Sequence, residues 1–315
     1  MAENNVPMLI TRRIANTAFK LLYRYSHGPA HRHNERFWPH VSVERDARGD
    51  LTGFSYRGRA LPLANREMMR GACRGTGHII ACGPSINDIE YDRLQLSSVM
   101  GVNGAMTLAE RHPIRFDYYC FNDTGFLRAR FDLVARIVAE DLLLFTTPLC
   151  LWHILQRVSP GDLRCRLFLV ENPQRRALLP ARTMEEVRRD HPDDELTIFD
   201  PERGLGFSRD IRKGLFDVGT VAYTALQIMV WLGYSQIVLH GVDLNNAAAT
   251  PRFYETPENR LPTTLDQYLP GHILPSFVRA AALLREAGVE IVNLSPKGAL
   301  AGEPFRQLDW HALVR

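Results

Sequence analysis

The residues best suited to chemistry are small and polar, and they recur just after short apolar runs. Gly83-Pro84-Ser85 closes GHIIACGPS, Asn103-Gly104 closes SVMGVNGA, Asn122-Asp123 closes FDYYCFND, and Asp243 with Asn245 follows SQIVLHGV. A glycine turn lets backbone N–H groups approach a phosphate or sugar, and Ser85 adds a hydroxyl donor. Each Asn or Asp, taken singly, reads equally well as a cap of the helix that follows. As a set they outline a ligand site. The chain lacks G-x-G-x-x-G, a Walker loop, G-x-S-x-G, H-E-x-x-H and D-x-D. A dinucleotide enzyme, an NTPase and a serine hydrolase therefore lose ground.

Such strand ends need a scaffold. Apolar runs of about five residues alternate with TLAERH, VAYTALQIMVWLGY and SFVRAAALLREAG, which read as amphipathic helices, and the last run is VEIVNLS. This order predicts an α/β, Rossmann-like, mainly parallel sheet covered on both faces, with ligands at the carboxyl ends of its strands. Upstream, VSVERDARGDLTGFSYRGRALPL alternates around glycine turns and predicts a small β-meander. Ile10 to Tyr25 predicts a basic amphipathic helix. Its stripe of Ile10, Ile14, Ala18, Leu21, Leu22 and Tyr25 is flanked by Arg12, Arg13, Lys20 and Arg24. Such a helix suits an anionic membrane surface or its own domain. The expected organisation is an appendage over residues 1–70 and a catalytic domain over 71–315.

An apolar fraction of 45% and a charged fraction of 23% are those of an ordinary globular chain. The five cysteines (Cys73, Cys82, Cys120, Cys150, Cys165) form no C-x-x-C pair. They fit reduced, buried thiols in a cytoplasmic protein, not a disulfide framework or a zinc site. No signal-peptide core and no membrane-length apolar run is found, so neither secretion by that route nor a membrane span is expected. The net charge of +3 is uneven, with twelve Arg/Lys against six Asp/Glu in the first 70 residues. Lys20, Lys213 and Lys297 are the only lysines. Arginine suits bidentate recognition of phosphate and carboxylate. No nucleic-acid partner is expected.

IIACGPSINDIEYDRL, the following VNG, the strand-end FND and GTVAYTALQIMVWLGYSQIVLHGVDL resemble the bacterial sialyltransferases that act on lipooligosaccharide. A closer resemblance is to the lipopolysaccharide-core Kdo transferases of the type that adds a third Kdo. It extends through GVNGAMTLAERHPIRFDYYCFND, GFSRDI, TVAYTALQ, GVDL, PRFYE and VNLS, between Gly77 and Ser295. The resemblance implies inverting, metal-independent transfer of Kdo from CMP-Kdo to lipopolysaccharide or a related surface glycan, with no cofactor. It implies a Rossmann-like sheet of GT-A type and a peripheral enzyme on the cytoplasmic face of the inner membrane. Transfer of sialic acid or another nonulosonic acid from its CMP-sugar is the alternative.

By the same resemblance Gly83, Pro84 and Ser85 lie under the nucleotide, and Asn103 and Asn122 contact phosphate or donor sugar. Thr220, at a helix start, holds the sugar carboxylate, an apt place for an anion. Tyr254 meets the leaving phosphate and Arg252 adds charge there. The second tyrosine of the sialyltransferases is replaced by Leu244-Asn245. His272, after Gly271, matches their general base, and a histidine side chain, which as a type titrates near neutrality, suits the role. Asp123 and Asp243 are reserve candidates for the base. Ser208 and Arg209, within GFSRD, are assigned to the acidic donor or acceptor. PRFYETPENRLPTTLDQYLPGH reads as a lid over the donor. Two readings from other classes remain: a scaffold with a decayed transferase site, and a pterin pyrophosphokinase-like domain sharing the Gly-Pro-Ser turn and a G-x-D strand end.

Overall fold

The computed structural model describes residues 17–191, 195–245 and 249–314. β1 (Val41–Arg45), β2 (Leu51–Tyr56) and β3 (Arg59–Leu61) form an antiparallel meander. β4 (Thr76–Ile80), β5 (Val99–Val102), β6 (Tyr118–Phe121), β7 (Leu143–Thr146) and β8 (Arg166–Leu169) follow. A separate antiparallel hairpin, β9 (Leu196–Asp200) and β10 (Leu205–Ser208), precedes β11 (Gln236–His240), β12 (Glu290–Asn293) and β13 (Arg306–Gln307). One eight-stranded sheet runs β13-β12-β11-β4-β5-β6-β7-β8, with every pair parallel.

Strand periodicity divides the apolar residues between two faces. Ile79, Met100, Cys120, Phe145 and Leu239 pack toward α5 (Val221–Leu232), α7 (Leu274–Glu286) and the hairpin, on the side that also holds α4 (Met184–Asp190) and the short α6 (Leu265–Tyr268). Ile80, Tyr119, Phe121, Leu144 and Val238 face the other way. There they meet α1 (Thr124–Ala129), α2 (Phe131–Val138), α3 (Pro148–Ile154) and the apolar side of the meander. Strands covered on both faces are apolar throughout, as in β5 and β7, where every residue is buried. Helix α5 is buried almost all round, which explains why its sequence shows little amphipathic stripe. The segment after β3 shields the sheet edge: Leu63 bridges Leu167, and Ala64 N–H donates to Leu167 O at 2.8 Å.

From β4 the chain winds outward to β8, then returns to place β11 on the other side of β4. The crevice beyond the carboxyl ends of β4 and β11 is thus the topological switch point, where open parallel sheets bind ligands. Beneath it, His78 Nδ1 and His240 Nε2 lie 3.0 Å apart across a sequence separation of 162. Burial drives the His78 pKa down to about 4 and that of His240 well below its ordinary value, so the pair is neutral.

TLAERH, read as an amphipathic helix, falls largely in a 3-10 helix, Asn103–Glu110, and GFSRD begins on strand β10. The N-terminal helix occupies 17–26 of the described residues, while Ile10 and Ile14 lie outside them. Tyr23 is its buried residue, and Leu21, Leu22 and Tyr25 point away from the protein.

Candidate active site

A cavity of about 520 Å³ opens at the switch point. Its floor is the paired turns after β4 and β11. Gly83 N–H donates to Gly241 O at 2.9 Å. The Asp243 carboxylate then clamps the first turn, with Oδ2 accepting from Ser85 N–H at 2.9 Å and Oδ1 from the Ser85 hydroxyl at 2.5 Å. Ser295, after β12, lies 3.1 Å from the same hydroxyl. A Cβ on Gly83 would meet Asp243 Cγ and Gly241 O, each at 2.6 Å. Glycine is required there by space, since its φ of −68° suits any residue. Cys82 also reaches the cavity, but burial pushes its thiol pKa up to about 12, which makes it a poor nucleophile.

Asn103, at the end of β5, has a φ of +47°. Its backbone oxygen accepts from the Tyr119 hydroxyl at 2.7 Å, which fixes this uncommon conformation. Among the described residues its side-chain Oδ1 is buried without a partner, an unmet hydrogen bond in a residue that lines the cavity. Asn122 donates to Thr224 Oγ1 at 3.2 Å, one turn inside α5. Thr220 is the N-cap of α5 and makes no side-chain capping bond. Thr220, Val221 and Ala222 line the cavity, so the unsatisfied N–H groups of the first helical turn are available to an anion.

The long excursion after β11 supplies Thr250, Pro251, Arg252, Glu255 and residues 262–265 to one wall. Glu255 holds Arg252, accepting from its Nη1 at 2.7 Å and its backbone N–H at 3.0 Å. Tyr254 stands behind that wall with its ring against Gly104, where any Cβ would collide with it. Burial raises its phenol pKa, so it presents a protonated hydroxyl.

The fold therefore brings Gly83, Pro84, Asn103, Asn122, Asp123, Thr220, Asp243 and Arg252 to one cavity, with Ser85 and Tyr254 just behind its lining. Three residues singled out from the sequence fall elsewhere. Ser208 is buried under α5, its N–H bonded to Gln227 Oε1 at 3.0 Å, and Arg209 N–H donates to Glu195 O at 2.7 Å. His272 sits in a π-turn with its ring edge-on to Tyr268, and Tyr268 packs on Gly219. One side chain thus separates it from the lining.

Sequence reasoning missed Asp217, Glu255 and Gln227. Gln227 clamps the segment leading to Thr220: its Oε1 also accepts from Phe216 N–H at 3.1 Å, and its Nε2 donates to Phe216 O at 2.8 Å. No local pattern marked it, because the bonds join a helix to a loop.

Comparison with known proteins gives this site a context. Residues 196–304 match the family described as 3-deoxy-D-manno-octulosonic acid transferase WaaZ. A probable 3-deoxy-manno-octulosonic acid transferase of Salmonella typhimurium is 25% identical over 234 residues, 70% of this chain and 82% of that protein. Its Escherichia coli counterpart is 24% identical over 244 residues, 73% and 82% respectively. Among solved structures, the MAf glycosyltransferase of Magnetospirillum magneticum aligns over 78% of this chain and 35% of its own, at 16% identity and a TM-score of 0.44. The sialyltransferase CstII of Campylobacter jejuni aligns over 74% and 85%, at 15% identity and a TM-score of 0.39. Structural likeness at that distance fixes neither a site nor a substrate. By sequence, this chain is a glycosyltransferase related to the 3-deoxy-manno-octulosonic acid (Kdo) transferases.

Proposed function

We propose that the chain transfers Kdo from CMP-Kdo to lipopolysaccharide or a related surface glycan, with inversion and without a metal. The observation that carries this reading is the position of the family match. Residues 196–304 include the cavity walls around 217–222, 241–245 and 250–265. In this reading the nucleotide lies over Gly83-Pro84-Ser85. Arg252, backed by Tyr254, and the Asn103 side-chain N–H meet the phosphate, the unpartnered Asn103 Oδ1 accepts from a donor hydroxyl or amine, and Asn122 contacts the donor sugar. The N-terminus of α5 and the Thr220 hydroxyl take the sugar carboxylate. Arg252 and N–H groups then do for the leaving phosphate what a divalent ion does elsewhere. One parallel sheet with one crevice supports a GT-A type of organisation. CMP release from CMP-Kdo is expected to exceed release from CMP-sialic acid and to survive EDTA. Preference for CMP-sialic acid would move the donor to the alternative. Activity lost to EDTA and restored by magnesium would sink metal independence.

A lipid-linked acceptor places the enzyme at the cytoplasmic face of the inner membrane. Among the described residues no helix is long and apolar enough to cross a membrane. The surface that supports peripheral contact is the helical stretch 17–26, where Leu21 is 59%, Leu22 54% and Tyr25 94% exposed, beside Lys20 and Arg24, which share Glu35 as ion-pair partner and leave a net charge of +1 there. Basic residues near an anionic surface contribute about 1 kcal/mol each. Sedimentation with anionic liposomes at low salt is expected for the full chain and lost when Leu21, Leu22 and Tyr25 are replaced by serine. A full chain that ignores the liposomes overturns the assignment.

A further inference from the structure

Among the described residues, four carboxylates reach the cavity wall: Asp123, Asp217, Asp243 and Glu255. Three of them have both oxygens occupied by the protein. Asp123 caps α1, accepting from Gly125 N–H at 2.6 Å on Oδ1 and from Phe126 N–H at 3.2 Å on Oδ2. Asp243 spends both oxygens on Ser85. Glu255 binds Arg252 through both oxygens and also accepts Leu261 N–H at 3.2 Å. Asp217 differs. Its Oδ1 accepts Gly219 N–H at 3.0 Å, and among the described residues no donor reaches Oδ2. The side chain is open to the cavity, in the loop that leads into the N-terminus of α5.

We infer that Asp217 is the general base, taking the proton of the acceptor hydroxyl on Oδ2. The inference rests on the reading of the chain as a CMP-sugar transferase. Asp217 lines the cavity three residues before Thr220, the residue given above to the donor-sugar carboxylate. The acceptor oxygen forms its bond to the anomeric carbon while its proton passes to Asp217. The bond from that carbon to phosphate breaks, and CMP leaves with the electron pair. Asp217 then returns its proton to solvent.

The surroundings suit this duty. Loss of hydration raises the Asp217 pKa, the Gly219 N–H opposes that, and the negative charge of Asp123 adds to it. Cys120 faces it from β6 as a neutral thiol, its own pKa pushed up by burial. A carboxylate so placed holds a proton more strongly than an ordinary one, which improves it as a base near neutral pH. His272 lacks such access, and Asp123 and Asp243 are held by bonds that fix helix α1 and the nucleotide turn.

Asp217→Asn separates chemistry from structure, because the amide oxygen still accepts the Gly219 N–H. With whichever CMP-sugar the wild-type enzyme consumes, turnover to acceptor should fall by ~10²–10⁴-fold, and CMP affinity should be unchanged. The wild-type rate should decline as pH falls through a carboxylate whose pKa is raised above the ordinary aspartate value, and the residual Asp217→Asn rate should lack that limb. Near-normal transfer by Asp217→Asn, or loss of the same limb in His272→Ala instead, overturns Asp217 while leaving the transferase reading intact. A wild-type enzyme that consumes no CMP-sugar overturns both.

Discussion

Glu171→Gln is expected to destabilise the protein by about 3–5 kcal/mol, because it removes the counter-charge from buried Arg176 and half-buried Arg45. Glu171 lies beyond β8 and accepts from Arg45 Nη2 at 2.8 Å, Arg45 Nη1 at 2.9 Å, Ala177 N–H at 2.7 Å and Arg176 Nε at 3.4 Å. Burial by itself would raise its pKa. The hydrogen bonds and charge of Arg45, with the charge of Arg176, outweigh that and hold it below the ordinary value of 4.5. The stability it contributes is therefore fully present above that ordinary value and is lost as pH falls through the lower folded value. Buried Asp210, held by Arg212 and Trp231, has its pKa depressed in the same sense.

The consequence reaches the site. Lys213 pairs with Asp50 at 3.0 Å and Leu215 N–H donates to Glu171 O at 2.9 Å, so this network ties the meander to the segment ending in Asp217 and Thr220. Urea unfolding from pH 3 to 8 checks the prediction, and Glu171→Gln should show a shallower acid-side loss than wild type. Glu67→Gln is the comparison, since Glu67 meets Arg212 from a 67% exposed position and should cost less than about 1 kcal/mol. Equal effects for the two variants would deny the buried network its role.

Gly83→Ala is expected to weaken CMP binding by at least about tenfold, the largest loss anticipated from a single methyl group. The added carbon has no room against Asp243 and Gly241, so the Pro84-Ser85 turn must leave its clamp. Overpacking of this kind costs about 1–3 kcal/mol. Gly271→Ala, where a Cβ meets nothing within 4 Å, should bind CMP like wild type. Calorimetric titration with CMP reads both. Wild-type affinity in Gly83→Ala would remove the turn from the nucleotide site.

What the sequence determined by itself was local. The α/β alternation, the residues that end each strand and the capping position of Thr220 follow from periodicity and from a handful of neighbours in the chain. The shared motifs carried the resemblance to Kdo transferases on the same footing. Even there, helix α5 was expected to be amphipathic, whereas the fold covers it on nearly every side.

Tertiary structure decided which of those residues act together. Pairing of β4 with β11 makes the switch point, and nothing near Gly83 announces that its turn will be clamped from Asp243, 158 residues away from Ser85. The same long-range bonds consume Asp243, and a local cap consumes Asp123, so only the folded chain distinguishes Asp217 as the carboxylate with an oxygen to spare. His272 and Arg209 show the converse, since a suitable side chain at a suitable motif position still falls outside the cavity when packing routes its backbone elsewhere. A side chain's chemistry is set by its type, but its availability depends on which partners have already taken its hydrogen bonds, and those partners come from distant parts of the chain.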